Sequence, residues 1–384
     1  MERFDVAVIG AGPAGARVAW RLARAGARVA IVDGSHPREK PCGGGVTGRA
    51  LQVVRDALDG AALGETAIRG ASFEDGSRAV RVAFKDTPSS PDLVVASRAQ
   101  FDAALLSAAQ HAGARHLAAR VTDVVRDANE WRVTTRDCAV RTRWLLGADG
   151  ANSLVRRRVS QPFMRADLSI ATGFYVHGVS SPDIAIAFER DPPGYLWSFP
   201  RRDHLAVGAC AQADDSSSAS LLPLAARWIA RNVAGSPILE RYSWPIPSLR
   251  EATARRQVPA GPGWMLLGDA AGMVDPITRE GIFFALLSAD VAATCLIEPG
   301  ADPALRYAAQ MRTAIYDELV RAARLKARFF SPRFIALLIR ALETSPAVRH
   351  VMIDLVAGRQ PYRGLRRRLL ATLELKLMIQ MLRG

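Results

Sequence analysis

Val6-Ala7-Val8-Ile9-Gly10-Ala11-Gly12-Pro13-Ala14-Gly15, with the stretch that carries it on to Asp33, decides the fold. The unbroken apolar run Val6 to Ile9 predicts a strand buried on both faces. Ala14 to Ala25 reads as a helix ended by Gly26, and Arg28 to Val32 as a second strand. Gly10, Gly12 and Gly15 then occupy a strand-to-helix turn, where each has a physical task. Gly10 allows the tight turn, Gly12 lets backbone amides approach a pyrophosphate, and Gly15 lets helix and strand pack closely. The positive end of the helix stabilises phosphate charge. Asp33, closing the second strand, is in register to accept hydrogen bonds from an adenosine ribose. An ordinary glycine turn would explain the glycines, but not the strand, the helix and the acid together.

Two distant segments repeat one pattern, an apolar strand running into glycine and aspartate. They are Trp144-Leu145-Leu146-Gly147-Ala148-Asp149-Gly150, followed by Ser153 and Arg156, and Trp264-Met265-Leu266-Leu267-Gly268-Asp269-Ala270-Ala271-Gly272. Either Gly-Asp pair alone reads equally well as a turn. In order after a full fingerprint, they read as further parts of one nucleotide site. Asp269 is placed to orient amides and take a ribityl hydroxyl. Gly281 opens the next helix, whose N-terminus favours negative charge on a reduced ring.

Elsewhere, Arg49 to Leu58 and Arg98 to Ala112 read as helices, and 67–95 as short strands broken at Asp75-Gly76 and at Pro88 to Pro91. Val121 to Arg126 and Trp131 to Thr135 are β-like. Between about 165 and 260 come alternating strands (Ile170 to Val176, Ile184 to Phe188, Tyr195 to Phe199, Leu205 to Cys210) and a serine-rich turn, Ser216 to Ser220. Beyond Pro303 the chain reads as helical. The domain reading is 1–160 and 261–300 for the nucleotide domain, 161–260 for an inserted antiparallel sheet, and 301–384 for a helical region.

Asp149-Gly150 and Asp269 with Gly281 resemble the flavoprotein superfamily that includes the aromatic-ring hydroxylases. Arg98 with Asp102 and Leu105 resembles its R-x-x-x-D-x-x-L helix, whose arginine contacts FAD. The resemblance spans nearly the whole chain and makes FAD the expected cofactor. The implied fold is α/β: a Rossmann-like FAD-binding domain with an inserted antiparallel β-sheet substrate domain and a C-terminal helical region. The implied cofactor-binding set is Gly10, Gly12, Ala14, Gly15, Asp33, Cys42, Gly43, Gly45, Arg98, Val121, Asp149, Asp269, Gly281 and Ile282.

Lys40-Pro41-Cys42-Gly43-Gly44-Gly45 resembles the C-G-G-G loop of geranylgeranyl reductases, and Tyr195-Leu196-Trp197-Ser198-Phe199-Pro200 their Y-x-W-x-F-P segment. Asp275 to Ile282 resembles their P-x-x-G-E-G-I loop but carries Arg279 where glycine is usual. Gly358, Tyr362 and Leu365 resemble the C-terminal segment of the same family. The resemblance implies saturation of isolated isoprenoid double bonds on lipids, chlorophyll precursors or quinones by reduced FAD. It sets Cys42 beside the isoalloxazine, although a lone cysteine is more often inert packing. The triple glycine lets backbone lie against a planar ring. Tyr195, Trp197 and Phe199 alternate along a strand and face one side, suiting either a long apolar tail or an ordinary sheet core. Cys42, Tyr195 and Trp197 are the candidate catalytic residues; Tyr195, Trp197 and Phe199 are the candidate substrate pocket.

Composition narrows the classes further. The 384 residues carry a formal charge of +14, which suits acidic partners or a solvated arginine-rich surface. No helix-turn-helix or zinc-finger spacing supports nucleic acid, and no apolar run reaches the ~18 residues of a membrane span. Cys42, Cys138, Cys210 and Cys295 give neither a disulfide framework nor metal-ligand spacing, so no metal is expected. No leader pattern precedes Phe4, so the reading is cytoplasmic. The C-terminal mix of Arg366-Arg367-Arg368 with Leu369, Leu370, Leu373, Leu377 and Met381, and of Phe329, Phe330, Phe334 and Ile335 with Arg328 and Arg333, reads as a helical cap or a surface for peripheral contact at the inner membrane face. No second G-x-G-x-x-G exists, which leaves NAD(P)H or a ferredoxin-type donor as electron source. The competing readings are an FAD-dependent aromatic or lipid monooxygenase, a flavin halogenase, disfavoured by the absence of W-x-W-x-I-P, and a non-enzymatic flavin-bound membrane-associated protein. His36 reads as a loop residue, and oligomeric state is not legible.

Overall fold

A computed structural model describes residues 1–58, 63–84, 91–235 and 238–371. The expected break at Pro88 and the apolar positions Leu373, Leu377 and Met381 lie outside them. The first strand, Glu2–Ile9, is the centre of a parallel sheet, with Ala139–Gly147 on one side and Val29–Val32 on the other. Trp264–Leu266 and Arg115–Leu117 extend the sheet outward. Val6 to Ile9 is buried on both faces, as an unbroken apolar run requires. The helices Pro13–Arg24 and Ile282–Ile297 pack side by side against it, tied where buried Arg17 donates to Asp290 and Asp56, both at 2.6 Å. The strands Val121–Asp127 and Glu130–Thr135 form a hairpin paired antiparallel to Ala139–Gly147.

The second sheet has seven strands, in which Leu168–His177, Asp183–Arg190, Pro193–Pro200, His204–Gln212 and Leu239–Pro247 run antiparallel to their neighbours among them. It reaches beyond 161–260: the hairpin Gly70–Glu74 and Ala79–Ala83 forms one edge, and Gly70–Glu74 pairs parallel to Asp183–Arg190. The sheet is therefore mixed rather than purely antiparallel. Alternation in the hairpin (Phe73, Val80 and Val82 inward) marks a buried face but not which core receives it. A second difference concerns the serine-rich turn, which starts a helix, Ser218–Asn232. Ser217 and Ser220 form a reciprocal cap at its N-terminus.

Side-chain parity divides this sheet between two cores. Leu196, Leu205 and Val207 pack against Leu221, Ala225 and Ile229 of that helix. Tyr195 and Trp197 point the other way, against Ile335, Leu338, Ile339, Leu342 and Met352. Those residues belong to the helices Pro332–Thr344 and Pro346–Val356, which follow Asp317–Phe329. The apolar residues Phe329, Phe330, Phe334 and Ile335, read as a membrane-facing option, face the sheet instead, because a mostly apolar sheet face needs a cover. No helix among the described residues is long and apolar enough to cross a membrane.

Candidate active site

The dinucleotide end is built by close approach of backbones. Gly10 has φ +102°, and a Cβ there would lie 2.4 Å from the Ala148 carbonyl oxygen. A Cβ on Gly15 would lie 1.9 Å from the Gly10 carbonyl oxygen, so this crossing admits only glycine. Gly12 differs. A Cβ there would meet only His36 Nε2, at 3.6 Å, and no side chain caps the helix Pro13–Arg24 that it begins. With Pro13 in the first turn and no acidic residue in that turn, the helix N-terminus is open to an anion. A glycine that leaves clear space at an uncapped helix start is the cradle a pyrophosphate fits.

Asp33 lies beside this cradle, and its carboxylate accepts from Ala11 N at 2.9 Å and Ser35 N at 2.6 Å. His36 is not a passive loop residue: its Nδ1 sits 2.8 Å from Asp33 Oδ2 and its Nε2 3.4 Å from Asp102 Oδ2. Burial works against charge on Asp33, but the His36 contact and the amides outweigh it and hold the carboxyl far below its usual range. Burial likewise opposes charge on His36, yet Asp102 and Asp33 together raise its pKa. A histidine raised by folding stabilises the fold fully below its unfolded value of about 6.5, and that contribution is lost as pH rises through the folded value. The thermal midpoint of the FAD-free protein is therefore expected to fall from neutral toward mildly alkaline pH. His36→Asn removes this slope; a variant that keeps it would show that other groups cause it.

Asp102 passes the network on. It is wholly buried and takes both Nε (3.0 Å) and Nη2 (2.8 Å) of Arg98, whose Nη1 donates to Cys42 Sγ at 3.4 Å. Arg98 and Asp102, four apart on the helix Arg98–His111, thus link Asp33 and His36 to the glycine loop. Asp149 has a different task. Its carboxylate accepts from Ser153 Oγ at 2.5 Å and from Leu154 and Val155 amides at 2.6 and 3.1 Å, capping Leu154–Val159. The turn just before Val121 crowds Gly34, next to Asp33: a Cβ on Gly34 would be 3.1 Å from Arg120 N.

At the other end the triple glycine meets the second sheet. A Cβ on Gly43 would lie 2.3 Å from the Phe199 ring, and one on Gly44 (φ +80°) 2.5 Å from the Arg201 guanidinium. The glycines are thus demanded first by these protein neighbours. Arg201 follows the aromatic segment and is fully buried. It donates to the carbonyls of Ala96 and, at 3.2 Å, Cys42, and pairs with Glu39 at 3.2 Å. Glu39 in turn accepts from the Arg98 and Ala99 amides at 3.1 and 3.2 Å. Sequence reasoning missed Glu39 and Arg201, because nothing local separates buried Arg201 from exposed Arg202.

Between these ends lies a cavity of about 230 Å³. It gathers Cys42, Gly43, Gly45, Arg98, Asp269, Gly281 and Ile282 with Tyr195, Trp197 and Phe199, and Pro13 reaches it from the dinucleotide side. Gly10, Gly12, Ala14, Gly15, Asp33, Val121 and Asp149 do not line it. The wall is aromatic and aliphatic: the Tyr195 ring stacks on Phe330 (centroids 6.3 Å, 9° between planes) and meets Trp197 edge-on at 6.1 Å. Tyr195 OH donates to the Thr278 carbonyl at 3.1 Å, and burial pushes its pKa well above 10.0. Tyr195 therefore pins the 275–280 loop as a neutral phenol. Thr47 and Arg49 hold Glu280 in that loop, with Thr47 Oγ1 to Oε1 at 2.8 Å. Asp269 pairs with Lys40 at 3.0 Å beside Gly281, the uncapped start of Ile282–Ile297.

The FAD binding domain family model matches residues 3–298. A menaquinone reductase of Mycolicibacterium smegmatis is 32% identical over 365 residues, covering 87% of this chain and 86% of that protein. A geranylgeranyl diphosphate reductase of Rhodobacter capsulatus is 30% identical, over 74% of this chain and 72% of its own length. Among solved structures, a geranylgeranyl bacteriochlorophyll reductase-like protein from Thermoplasma acidophilum superposes with a TM-score of 0.79 at 21% identity, covering 97% of this chain and 100% of that one. The flavin-dependent brominase Bmp2 superposes at 0.71 and 20% identity, over 96% and 98% of the chains. These structural likenesses describe the fold.

Proposed function

Because the chain belongs to the geranylgeranyl reductase family of FAD-dependent oxidoreductases, we propose that it reduces isolated double bonds in the isoprenoid chain of a prenyl lipid or prenylquinone. The observation that carries this reading is the aromatic cavity itself, continuous with the glycine loop, the Gly281 helix start and Pro13. FAD, when bound and reduced, supplies the hydride for one alkene carbon. Gly10, Gly12 and Gly15 make room for its pyrophosphate, Asp33 takes its ribose, and Asp269 with the Gly281 amide end serves its ribityl and ring portion.

The remaining work falls to the protein's own groups. The other alkene carbon needs a proton, and as that proton is delivered positive charge develops on the carbon that takes the hydride. Trp197 and Tyr195 line the cavity, where an aromatic ring face would stabilise such charge while the apolar wall excludes water. The Cys42 thiol lines the cavity and is the proton source in this reading; Arg98 Nη1, 3.4 Å from Sγ, stabilises the thiolate left behind. Cys42→Ala is expected to retain FAD and lose about 10²-fold in kcat. Retention of full turnover would remove Cys42 from the chemistry.

The electron donor in this reading is NAD(P)H or a ferredoxin-type protein. Substrate access is from the inner membrane face. The test is anaerobic: the reduced holoprotein is mixed with prenyl substrates, reoxidation of the flavin is followed, and the lipid is weighed by mass spectrometry. Reoxidation with one H2 gained per bond is expected. A product that forms only with oxygen would overturn the reading in favour of a monooxygenase.

A further inference from the structure

Arg279 stands where a glycine is usual in the family's loop, and its backbone keeps the left-handed conformation that glycine would favour, φ +62°. A strained arginine retained at this place calls for a reason. Its Nη1 donates to the Pro276 carbonyl and, at 2.6 Å, to Ser248 Oγ, while its buried Nε has no partner. Lys326, on the helix that delivers Phe329 and Phe330 to the cavity, donates to the same Ser248 Oγ at 2.8 Å and to Gln212. Two cations thus hang on one neutral hydroxyl, and among the described residues neither has a carboxylate within ion-pair distance. Of the surrounding acids, Asp275 accepts from Ile277 N (2.7 Å), Thr278 N (3.0 Å) and Tyr362 OH (3.0 Å), Asp167 pairs with Arg250, and Asp215, whose charge favours the protonated Lys326, forms no ion pair with it. Burial, then Arg279, lowers the Lys326 pKa to about 7, as an excess of buried positive charge would.

Arg279 lines the cavity and Lys326 meets it through Ser248; two adjacent cations without an ion-pair partner fit an anion brought by the ligand. We propose that Arg279 and Lys326, with Ser248 and Gln212, form a subsite for a phosphate-ester head group, so that the substrate is an anionic prenyl compound and not a neutral prenylquinone. This rests on the prenyl-reductase reading above and narrows it. The aromatic wall takes the chain, and the loop end takes the head.

The test measures binding to the oxidised holoprotein by flavin fluorescence, which does not depend on turnover. The probes are geranylgeranyl diphosphate, a prenylated glycerol phosphate and the uncharged geranylgeraniol. The diphosphate or the glycerol phosphate is expected to bind about 30-fold more tightly than the alcohol, and whichever binds better names the source of the phosphate. Arg279→Gln and Lys326→Met are each expected to shrink that preference to about threefold. Arg279→Gly gives a second variant that removes the charge while relieving the backbone. Equal binding of charged and uncharged probes to the native protein would overturn the proposal. So would a preference that survives all three substitutions, including the case where they only lower the flavin reduction potential, which would assign the cations to the ring. If the preference is found but no prenyl compound is reduced, the subsite stands and the proposed reaction falls.

Discussion

Gly12→Ala is expected to leave the FAD-free protein folded, with its thermal midpoint nearly unchanged, while weakening FAD binding by about a hundredfold or more. Alanine fits the backbone, since φ at Gly12 is −68°, and its Cβ would meet only His36 Nε2 at 3.6 Å. The methyl instead occupies the space in front of an uncapped helix start, where a pyrophosphate must come close enough for amide hydrogen bonds. Hydrogen bonds to charged groups contribute about 1.5–3 kcal/mol each, and every 1.4 kcal/mol is about tenfold in affinity. Gly15→Ala is the contrast. Its Cβ would fall 1.9 Å from the Gly10 carbonyl oxygen, so strand and helix must separate, and loss of soluble protein is expected. FAD titration of the two purified variants, with thermal melts of their FAD-free forms, checks both halves. A Gly12→Ala protein that titrates like the native one would place the pyrophosphate elsewhere.

Arg201→Met is expected to cost about 3 kcal/mol, to lower the thermal midpoint by roughly 4 °C and to reduce turnover on any substrate by more than about 10²-fold. The side chain is fully buried and joins three parts of the chain: the Ala96 carbonyl ahead of Arg98, the Cys42 carbonyl in the glycine loop, and Glu39. Methionine fills much of the volume but leaves two carbonyls without their donor in a dry place. Glu39 keeps its amide contacts at the start of Arg98–His111, which holds the cost near the lower end for a broken buried pair. The glycine loop, packed against the guanidinium through Gly44, would shift with it, which is why activity should suffer more than stability. Arg202→Met, at the exposed neighbour, is the control and should change neither quantity. Normal melting and turnover in Arg201→Met would show that the loop is positioned by Phe199 alone.

What the amino-acid order settled on its own is everything set by short-range rules. Val6 to Asp33 fixes a strand, a glycine turn, a helix and an acid, because period, capping and steric demand act within one βαβ unit. Cys42 to Gly45 and Tyr195 to Phe199 stood out through family resemblance, with strand parity placing the three aromatic rings on one side, and they line one cavity. Tertiary structure alone decided which distant groups answer one another. His36 became a bridge only because Asp102 arrives from a helix more than sixty positions away. Arg201 and Arg202 are alike in sequence, and only the pairing of Pro193–Pro200 within its sheet buries the first. The hairpin from Gly70 to Ala83 carried a buried face without saying which sheet it would join. Arg279 and Lys326 come together on Ser248 from three separate elements. Burial and charge pairing across long loops are sums over the whole folded chain, and no local pattern encodes them.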